Sequence, residues 1–253
     1  MSTSKVVLTA IRFSPWSEKA RWALDHHRVD YHEDDYTPIF GEYVLRLRMR
    51  KAGGRLTVPV LRDEERWLTD SLDIARHAEA IGRGTPLFPT DRLEEILRWN
   101  ARSEAALAAG RALLMQAFAD APELAVAALP AGVPSLLRPL MLRLGRARLA
   151  SFTAKYGIRA GDTSPLEVLS RELEVLTAAL AGRRYLVGDS LSYADIAMAL
   201  TLQQVRPVDP RYIVRMEGLG PAGMNVPELE ERYEPLFAWR DALYEAHRRP
   251  PAA

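Results

Sequence analysis

The stretch Phe13-Ser14-Pro15-Trp16-Ser17-Glu18-Lys19-Ala20-Arg21 decides the fold, because it carries the chain from an apolar run into a helix. The run that precedes it, residues 5–13, is short and rich in Val, Leu and Ile, which predicts a buried strand. Ser14 followed by Pro15 is typical of a helix start, where serine caps the helix and proline takes its first position. The segment therefore predicts a strand followed by a helix, with Ser14 at their junction.

Alternation, helical spacing and turn residues predict further elements in the rest of the first 83 residues. They are a strand at 29–36, a helix at 38–50, a hairpin of residues 58–61 and 66–69 around an Arg-Asp-Glu-Glu turn, and a helix from Asp70-Ser71 to Gly82. The predicted order is βαβαββα, an α/β unit with one antiparallel hairpin.

The chain changes character after residue 83. The segment Gly84-Thr85-Pro86-Leu87-Phe88-Pro89 is bounded by proline, which predicts a linker over residues 84–90. Beyond it the pattern is helical, with a mostly apolar stripe over residues 91–118 and a serine-proline helix start at Ser164-Pro165. We therefore expect an α/β domain at residues 1–83 and an all-helical domain at residues 91–253.

Residues 121–162 are the least informative part of this second domain, because prolines interrupt them. Within them, residues 136–149 predict a basic, leucine-rich helix. We interpret it as an ordinary half-buried helix, and a membrane-surface role for its arginines is the alternative.

The absence of cysteine is the most useful feature of the composition. It excludes disulfides, thiolate metal sites and a cysteine nucleophile, so thiol chemistry must use a thiol carried by a ligand. A formal net charge of +1 provides no basic field for nucleic acid or an acidic membrane. The first apolar run is too short for a signal peptide, and no uncharged stretch approaches the length of a spanning helix. We therefore expect a cytoplasmic globular protein that binds neither nucleic acid nor membrane.

Three segments, in the right order along the chain, resemble the glutathione transferase superfamily. They are Phe13-Ser14-Pro15-Trp16-Ser17-Glu18-Lys19-Ala20-Arg21, Thr57-Val58-Pro59-Val60-Leu61 with Leu68-Thr69-Asp70-Ser71-Leu72, and Gly188-Asp189-Ser190-Leu191-Ser192-Tyr193-Ala194-Asp195-Ile196. They look like the family's active-site stretch, its cis-proline segment with an acidic-serine pair, and the capping box of a buried helix. The resemblance implies a thioredoxin-like N-terminal domain that binds glutathione and an all-α C-terminal domain for a second substrate.

The resemblance also implies which residues meet the cysteinyl part of glutathione. Ser14 would donate a hydrogen bond to the sulfur and favour the thiolate, and Ser17 is the second candidate for this contact. A cis peptide between Val58 and Pro59 would present the backbone of Val58 to the cysteinyl residue, as an added strand does.

The two ends of glutathione have their own candidates. By resemblance, Ser71 would hold the γ-glutamyl carboxylate at a helix N-terminus and Asp70 would meet the γ-glutamyl ammonium. Families of this type often place a lysine just before the Val-Pro pair, to meet the glycyl carboxylate. Thr57 stands there in this chain, so Arg55 or Lys51 would have to serve.

Structural interpretations stay open beside these roles. Ser14 is also a plain N-cap, and Asp70 with Asp73 is also a capping pair. Ser192 with Asp195 is predicted to be structural. The remaining candidates are predicted to have no role in the site: Trp16 in the core, Arg21 on the helix surface, and His26, His27 and His32 packed or solvated without a metal.

The function that this sequence favours is transfer of the glutathione thiolate to a small apolar electrophile, in the manner of a detoxification enzyme. Glutathione is then a co-substrate and no metal is needed. The second substrate is expected between the domains, against the helix that starts near Asp91 and residues 136–152. A glutathione-dependent isomerase or dehalogenase, a non-catalytic ligand binder and a protein-interaction module remain alternatives. A homodimer is expected from the resemblance alone.

Overall fold

The computed structural model describes residues 6–36, 41–50, 53–54, 56–120, 164–213 and 227–250, without the side chains of residues 118–120. Several sequence predictions lie outside these residues. They are the roles of Arg55 and Lys51 toward the glycyl carboxylate, the basic helix at 136–149, and the contribution of residues 136–152 to the second-substrate pocket.

The N-terminal part of the chain forms a four-stranded mixed sheet in the order β2-β1-β3-β4. Its elements are β1 (Val6–Ala10), α1 (Pro15–His26), β2 (Tyr31–Asp35), α2 (Gly41–Arg48), β3 (Val60–Asp63), β4 (Arg66–Leu68) and α3 (Ser71–Ile81). The strand β1 pairs parallel with β2, across the helix α1, and antiparallel with β3, which pairs antiparallel with β4. The predicted order βαβαββα is confirmed, although the turn of the hairpin is only Glu64-Glu65, because Arg62 and Asp63 belong to β3.

The described part of the chain beyond residue 90 is helical and contains no strand. Its elements are α4 (Leu93–Asp120), α5 (Pro165–Leu180), α6 (Tyr193–Ala199), a 3₁₀ turn (Leu200–Gln204), α7 (Pro227–Arg232) and α8 (Glu234–His247). The long helix α4 packs along both α5 and α6. We keep residues 84–90 as the proposed boundary, because the last helix of the sheet domain ends before them and α4 begins after them.

Two helix starts carry the caps that the sequence predicts. Ser164 accepts a hydrogen bond from the N–H of Glu167 at 3.1 Å, and the Glu167 carboxylate accepts one from the N–H of Ser164 at 2.9 Å. The buried Asp195 carboxylate accepts bonds from the N–H of Ser192 at 2.8 Å and from its hydroxyl at 2.7 Å. It also accepts the N–H of Leu186 at 2.7 Å, so it satisfies a loop as well as a helix end. Both predicted capping boxes are confirmed.

The helix α1 is buried over most of its length. It packs against α3 of its own domain and against α6 and the 3₁₀ turn of the helical domain. Trp22 on α1 is fully buried, and its ring centroid lies 4.4 Å from that of Tyr244 on α8. The helix α1 is therefore part of the sheet domain, and its packing against the helical part forms the interface between the two.

The ends of α1 and α3 hold the segment between the domains. The Nε2–H of His26 donates to the carbonyl of Thr85 at 2.9 Å. The Glu79 carboxylate on α3 accepts the backbone N–H groups of Leu87 and Phe88. These bonds satisfy backbone groups that would otherwise lie unpaired at the domain junction.

His27 is buried at the end of α1, with 1% of its surface exposed. Gly82, which ends α3 as predicted, approaches so closely that a Cβ there would stand 2.5 Å from the Cβ of His27. The ring nitrogens of His27 make no hydrogen bond to the described residues, and Nε2 lies 3.6 Å from the Glu79 carboxylate. Burial, with a smaller contribution from the charge of His26, lowers the pKa of His27 to about 4.

This lowered pKa predicts how stability depends on pH. Between pH 6.5 and about 4 the unfolded chain binds a proton at His27 that the folded chain does not bind. The free energy of unfolding should therefore fall as the pH falls through this range, with a contribution from His27 on the order of 1–2 kcal/mol. Denaturant unfolding measured from pH 7 to pH 4 tests this.

His27→Gln removes the titrating group and should flatten this part of the pH profile. His32→Gln changes an exposed histidine and serves as the control, since it should leave the profile as in the wild type. A wild-type slope that persists unchanged in His27→Gln would show that other groups cause it.

Candidate functional site

Ser14 lies at the junction of β1 and α1, as the N-cap of the helix. Its backbone is extended, and its Oγ accepts the N–H of Ser17 at 3.4 Å. The capping role is therefore confirmed, although the bond is long. Within the described part of the chain, the O–H of Ser14 donates to no acceptor. The half-buried hydroxyl thus has a proton to offer a ligand at the positive end of α1.

Ser17, the second candidate for the sulfur contact, faces inward. It is 0% exposed, and its Oγ accepts the N–H of Ile11 at 3.2 Å. This bond ties the first turn of α1 to the loop that follows β1. The hydroxyl of Ser17 therefore supports the loop that carries Ser14, and Ser14 is the more accessible of the two.

The peptide between Val58 and Pro59 is cis, as the family resemblance implies. It precedes β3, whose Val60 is paired with Thr9 of β1 in the antiparallel register. This register places Val58 beside the end of β1, where the chain turns toward Ser14. Pro59 is buried and Val58 is half-buried, and the antiparallel register puts both at the end of the sheet where β1 leads to Ser14.

Asp70 and Ser71 form the N-terminus of α3. The exposed Asp70 is the N-cap, and its Oδ1 accepts the N–H of Leu72 at 2.8 Å. Ser71 is the first residue of the helix and is 3% exposed. The buried hydroxyl of Tyr193, from α6, faces Ser71 but makes no hydrogen bond of normal geometry, and burial raises its pKa far above the usual value. The cap on Asp70 is confirmed, and it uses one oxygen of an exposed carboxylate.

A buried lysine beside this pair was not predicted. Lys19 on α1 is fully buried, and its Nζ lies 2.7 Å from Oε1 of Glu104 on α4. The indole N–H of Trp16 donates to Oε2 of the same carboxylate at 2.7 Å. Burial lowers the pKa of Lys19, while the charges of Glu104 and then Asp70 act against this. Glu104, on α4, therefore binds two residues of α1.

Trp16 is half-buried rather than part of the core, and the guanidinium of Arg111 lies 4.7 Å from its ring centroid. One signal in the sequence could have indicated this cluster: Glu104 is a charged residue on the otherwise mostly apolar stripe of α4. The fully buried ammonium of Lys19 requires such a carboxylate, while the Glu104 side chain itself is 42% exposed.

The prediction that Arg21 lies on the helix surface is wrong. Arg21 is 6% exposed, and its guanidinium binds the Glu33 carboxylate of β2 with N–O distances of 2.7 and 2.8 Å. It also donates to the backbone carbonyls of Ile11, at 3.1 Å, and Arg12, at 3.3 Å. Its periodic position resembles a solvated face, but the β1–α1 loop folds over it.

Two family matches cover most of the described sequence. Residues 13–81 match the glutathione S-transferase N-terminal domain, and residues 166–242 match the glutathione S-transferase C-terminal domain. The chain belongs to the glutathione S-transferase superfamily. Its fold is therefore a thioredoxin-like domain followed by an all-helical domain, as the sequence predicts.

Several solved structures share this fold over nearly the whole chain. The β-etherase LigF from Sphingobium sp. strain SYK-6 is 16% identical, with a TM-score of 0.63 over 95% of each chain. A glutathione S-transferase from Methylobacillus flagellatus KT, solved with GSH bound, is 19% identical, with a TM-score of 0.57 over 94% of this chain and 93% of that one. One from Rhodospirillum rubrum F11 is 22% identical, with a TM-score of 0.55 over 94% and 87%. No curated protein matches the chain.

Two further features are absent from the described ranges, a metal-binding cluster and a membrane-spanning helix. No group of three or more His, Cys, Asp or Glu side chains there is arranged to hold a metal ion. No helix in the same ranges is long and apolar enough to cross a membrane.

The geometry at α3 leads to a prediction about binding. Replacing Ser71 by Ala should weaken glutathione binding by about 1–2 kcal/mol, the value of a hydrogen bond to a charged group. Isothermal titration calorimetry with glutathione measures this directly. Ser170→Ala, a half-buried serine bonded to Tyr233 in the helical domain, is the control. Unchanged affinity in a folded Ser71→Ala protein would limit the residue to a structural role.

Proposed function

We propose that this protein is a glutathione transferase that activates the thiol of glutathione at Ser14 and transfers it to a small hydrophobic electrophile. One observation carries the proposal. The half-buried hydroxyl of Ser14, free to donate, stands at the N-terminus of α1, at the same end of the sheet as the cis Val58-Pro59 peptide. Membership of the superfamily supports glutathione as the co-substrate.

In this proposal the tripeptide lies across the end of the sheet where β1 stops and β3 begins. The backbone N–H and C=O of Val58 pair with the cysteinyl residue in the manner of an added strand. Ser71 and the positive end of α3 bind the γ-glutamyl carboxylate, and the exposed carboxylate of Asp70 binds the ammonium. Arg55 or Lys51 is proposed for the glycyl carboxylate, because Thr57 carries no charge.

The chemistry requires little beyond this placement. The Ser14 hydroxyl donates a hydrogen bond to the sulfur, and the positive end of α1 favours negative charge there, so the thiol loses its proton more readily. The thiolate then attacks an electrophilic carbon held beside it, forming a C–S bond as a leaving group departs or as a double bond accepts the electron pair. No oxidant or reductant takes part.

The second substrate is proposed to lie between the domains. Among the described residues, we propose that Trp16 of α1 and Glu104 and Arg111 of α4 border this cleft. The indole of Trp16 donates to Glu104 and lies against the guanidinium of Arg111. The half-buried indole offers an apolar face, which supports a small hydrophobic substrate. A homodimer and a cytoplasmic location stay predictions from the sequence.

Replacing Ser14 by Ala separates catalysis from binding. The variant should bind glutathione nearly as tightly as the wild type, because most contacts lie at Val58, Asp70 and Ser71. The bound thiol should titrate at higher pH, and conjugation should slow by about tenfold or more, since each decade corresponds to about 1.4 kcal/mol of barrier. The ultraviolet absorbance of the bound thiolate against pH, together with rates on a panel of electrophiles, measures both effects.

Ser170→Ala, which removes a half-buried hydroxyl from the helical domain, is the control. Coincident thiolate titrations in the wild type and Ser14→Ala would reduce Ser14 to a helix cap. A wild type that binds glutathione but shows no thiolate near neutral pH would favour the non-catalytic binder.

A further inference from the structure

The last described helix reaches back to the active-site helix through one arginine. Arg248 directly follows α8 and is 3% exposed. Its Nε donates to Oε1 of Glu18 on α1 at 2.6 Å, and the side chains of both residues are 1% exposed. Its Nη1 also donates to the carboxylate of Asp25 on α1 and to the carbonyl of Arg249. Two residues almost two helical turns apart on α1 are thus joined to the C-terminal segment.

The contact continues from Glu18 to the loop that carries Ser14. The other carboxylate oxygen of Glu18 lies 3.4 Å from Nη1 of Arg21. The guanidinium of Arg21 in turn holds the carbonyls of Ile11 and Arg12, the residues that lead from β1 to Ser14. The chain of buried contacts therefore runs from Arg248, through Glu18 and Arg21, to the backbone of the active-site loop.

We propose that Arg248 is a positioning residue for Ser14: it fixes the buried Glu18 carboxylate, which fixes Arg21, which holds the loop before Ser14 in its catalytic geometry. This role rests on the proposed function, since it concerns the loop that would activate glutathione. It makes the end of the helical domain part of the thiol-activating site, although Arg248 touches no substrate.

The buried charges explain why the loss of Arg248 should be felt at the loop before Ser14. A carboxylate as buried as that of Glu18 must be paired, and Arg21 alone is shared between Glu18 and the nearer Glu33. Burial opposes the charge of Arg248, but the carboxylates of Glu18 and Asp25 outweigh it and raise its pKa above the usual value. Without Arg248, Glu18 would compete with Glu33 for Arg21 and pull it away from the loop carbonyls.

Arginine is required at this position by geometry. Its guanidinium donates to Glu18 and to Asp25 from different nitrogens of one planar group. An ammonium is a single point charge and cannot span both carboxylates in the same way. Arg248→Lys should therefore restore only part of what Arg248→Met removes.

The test compares Arg248→Met with Arg240→Met. Arg240 lies on α8 and is also buried, but it contacts Asp241, the carbonyl of Arg206 and the ring of Phe237, which all belong to the helical domain. Hydrogen–deuterium exchange is followed in peptides that cover residues 11–17. Exchange of the loop amides should be about fivefold faster in Arg248→Met than in the wild type, and unchanged in Arg240→Met.

Activity provides the second measurement. In Arg248→Met the thiolate titration of bound glutathione should move to higher pH and kcat should fall by about threefold or more, with little change in the dissociation constant for glutathione. The thiolate titration and kcat of Arg248→Lys should lie between those of the wild type and those of Arg248→Met. The proposal is overturned if Arg248→Met shows the same loop exchange and thiolate titration as Arg240→Met. If Arg248→Met does not fold, the proposal is overturned when Arg248→Lys behaves as the wild type does in both measurements.

The two proposals fail in different ways. A wild type that binds no glutathione contradicts the proposed function, and the exchange measurement still decides whether Arg248 holds the loop. Normal glutathione activation with an unaltered loop in Arg248→Met contradicts only the positioning role.

Discussion

The burial of charge on α1 is the constraint on which the rest of the structure depends. A single turn of α1 places Glu18, Lys19 and Arg21 inside the protein, each less than a tenth exposed. Leaving any of these charges without a partner would cost about 3–5 kcal/mol, so each must be matched by an opposite charge. The partners come from three different elements: Arg248 after α8, Glu104 on α4 and Glu33 on β2.

These pairs explain why the two domains form one unit around a single helix. Two of the three partners belong to the helical domain, so α1 cannot be fully satisfied by the sheet domain alone. The same pairs hold the chain on both sides of Ser14. Glu104 binds Trp16 and Lys19, which follow the serine, and Arg21 binds the loop that precedes it. A hydroxyl that donates to one sulfur atom must be held in a fixed position, and these contacts restrict the chain on both sides of it. The proposed chemistry at Ser14 therefore depends on packing between the domains as much as on the local helix cap.

Much of this arrangement could be predicted from local sequence. The caps at Ser14, Asp70, Ser164 and Ser192 and the order βαβαββα follow from short motifs whose partners are close in the chain, and the cis Val58-Pro59 peptide follows from the family resemblance. Arg21 was misassigned because a charged residue at helical spacing resembles a solvated face. Its burial depends on Glu33 and on the β1–α1 loop, and that of Glu18 on Arg248, 230 positions away. Such long-range pairs leave no local pattern.

The central claim, that the protein holds glutathione as a thiolate, is tested most directly by counting protons released on binding. Calorimetric titrations with glutathione near pH 7, in buffers of different ionisation enthalpy, give this number, and S-methylglutathione is the control without an ionisable sulfur. A free thiol with a pKa near 8.5 is mostly protonated at that pH, so we expect about one proton released per glutathione bound. The methylated ligand should bind without this release. Equal proton release for the two ligands would contradict the account, because the sulfur would then enter the site as a thiol.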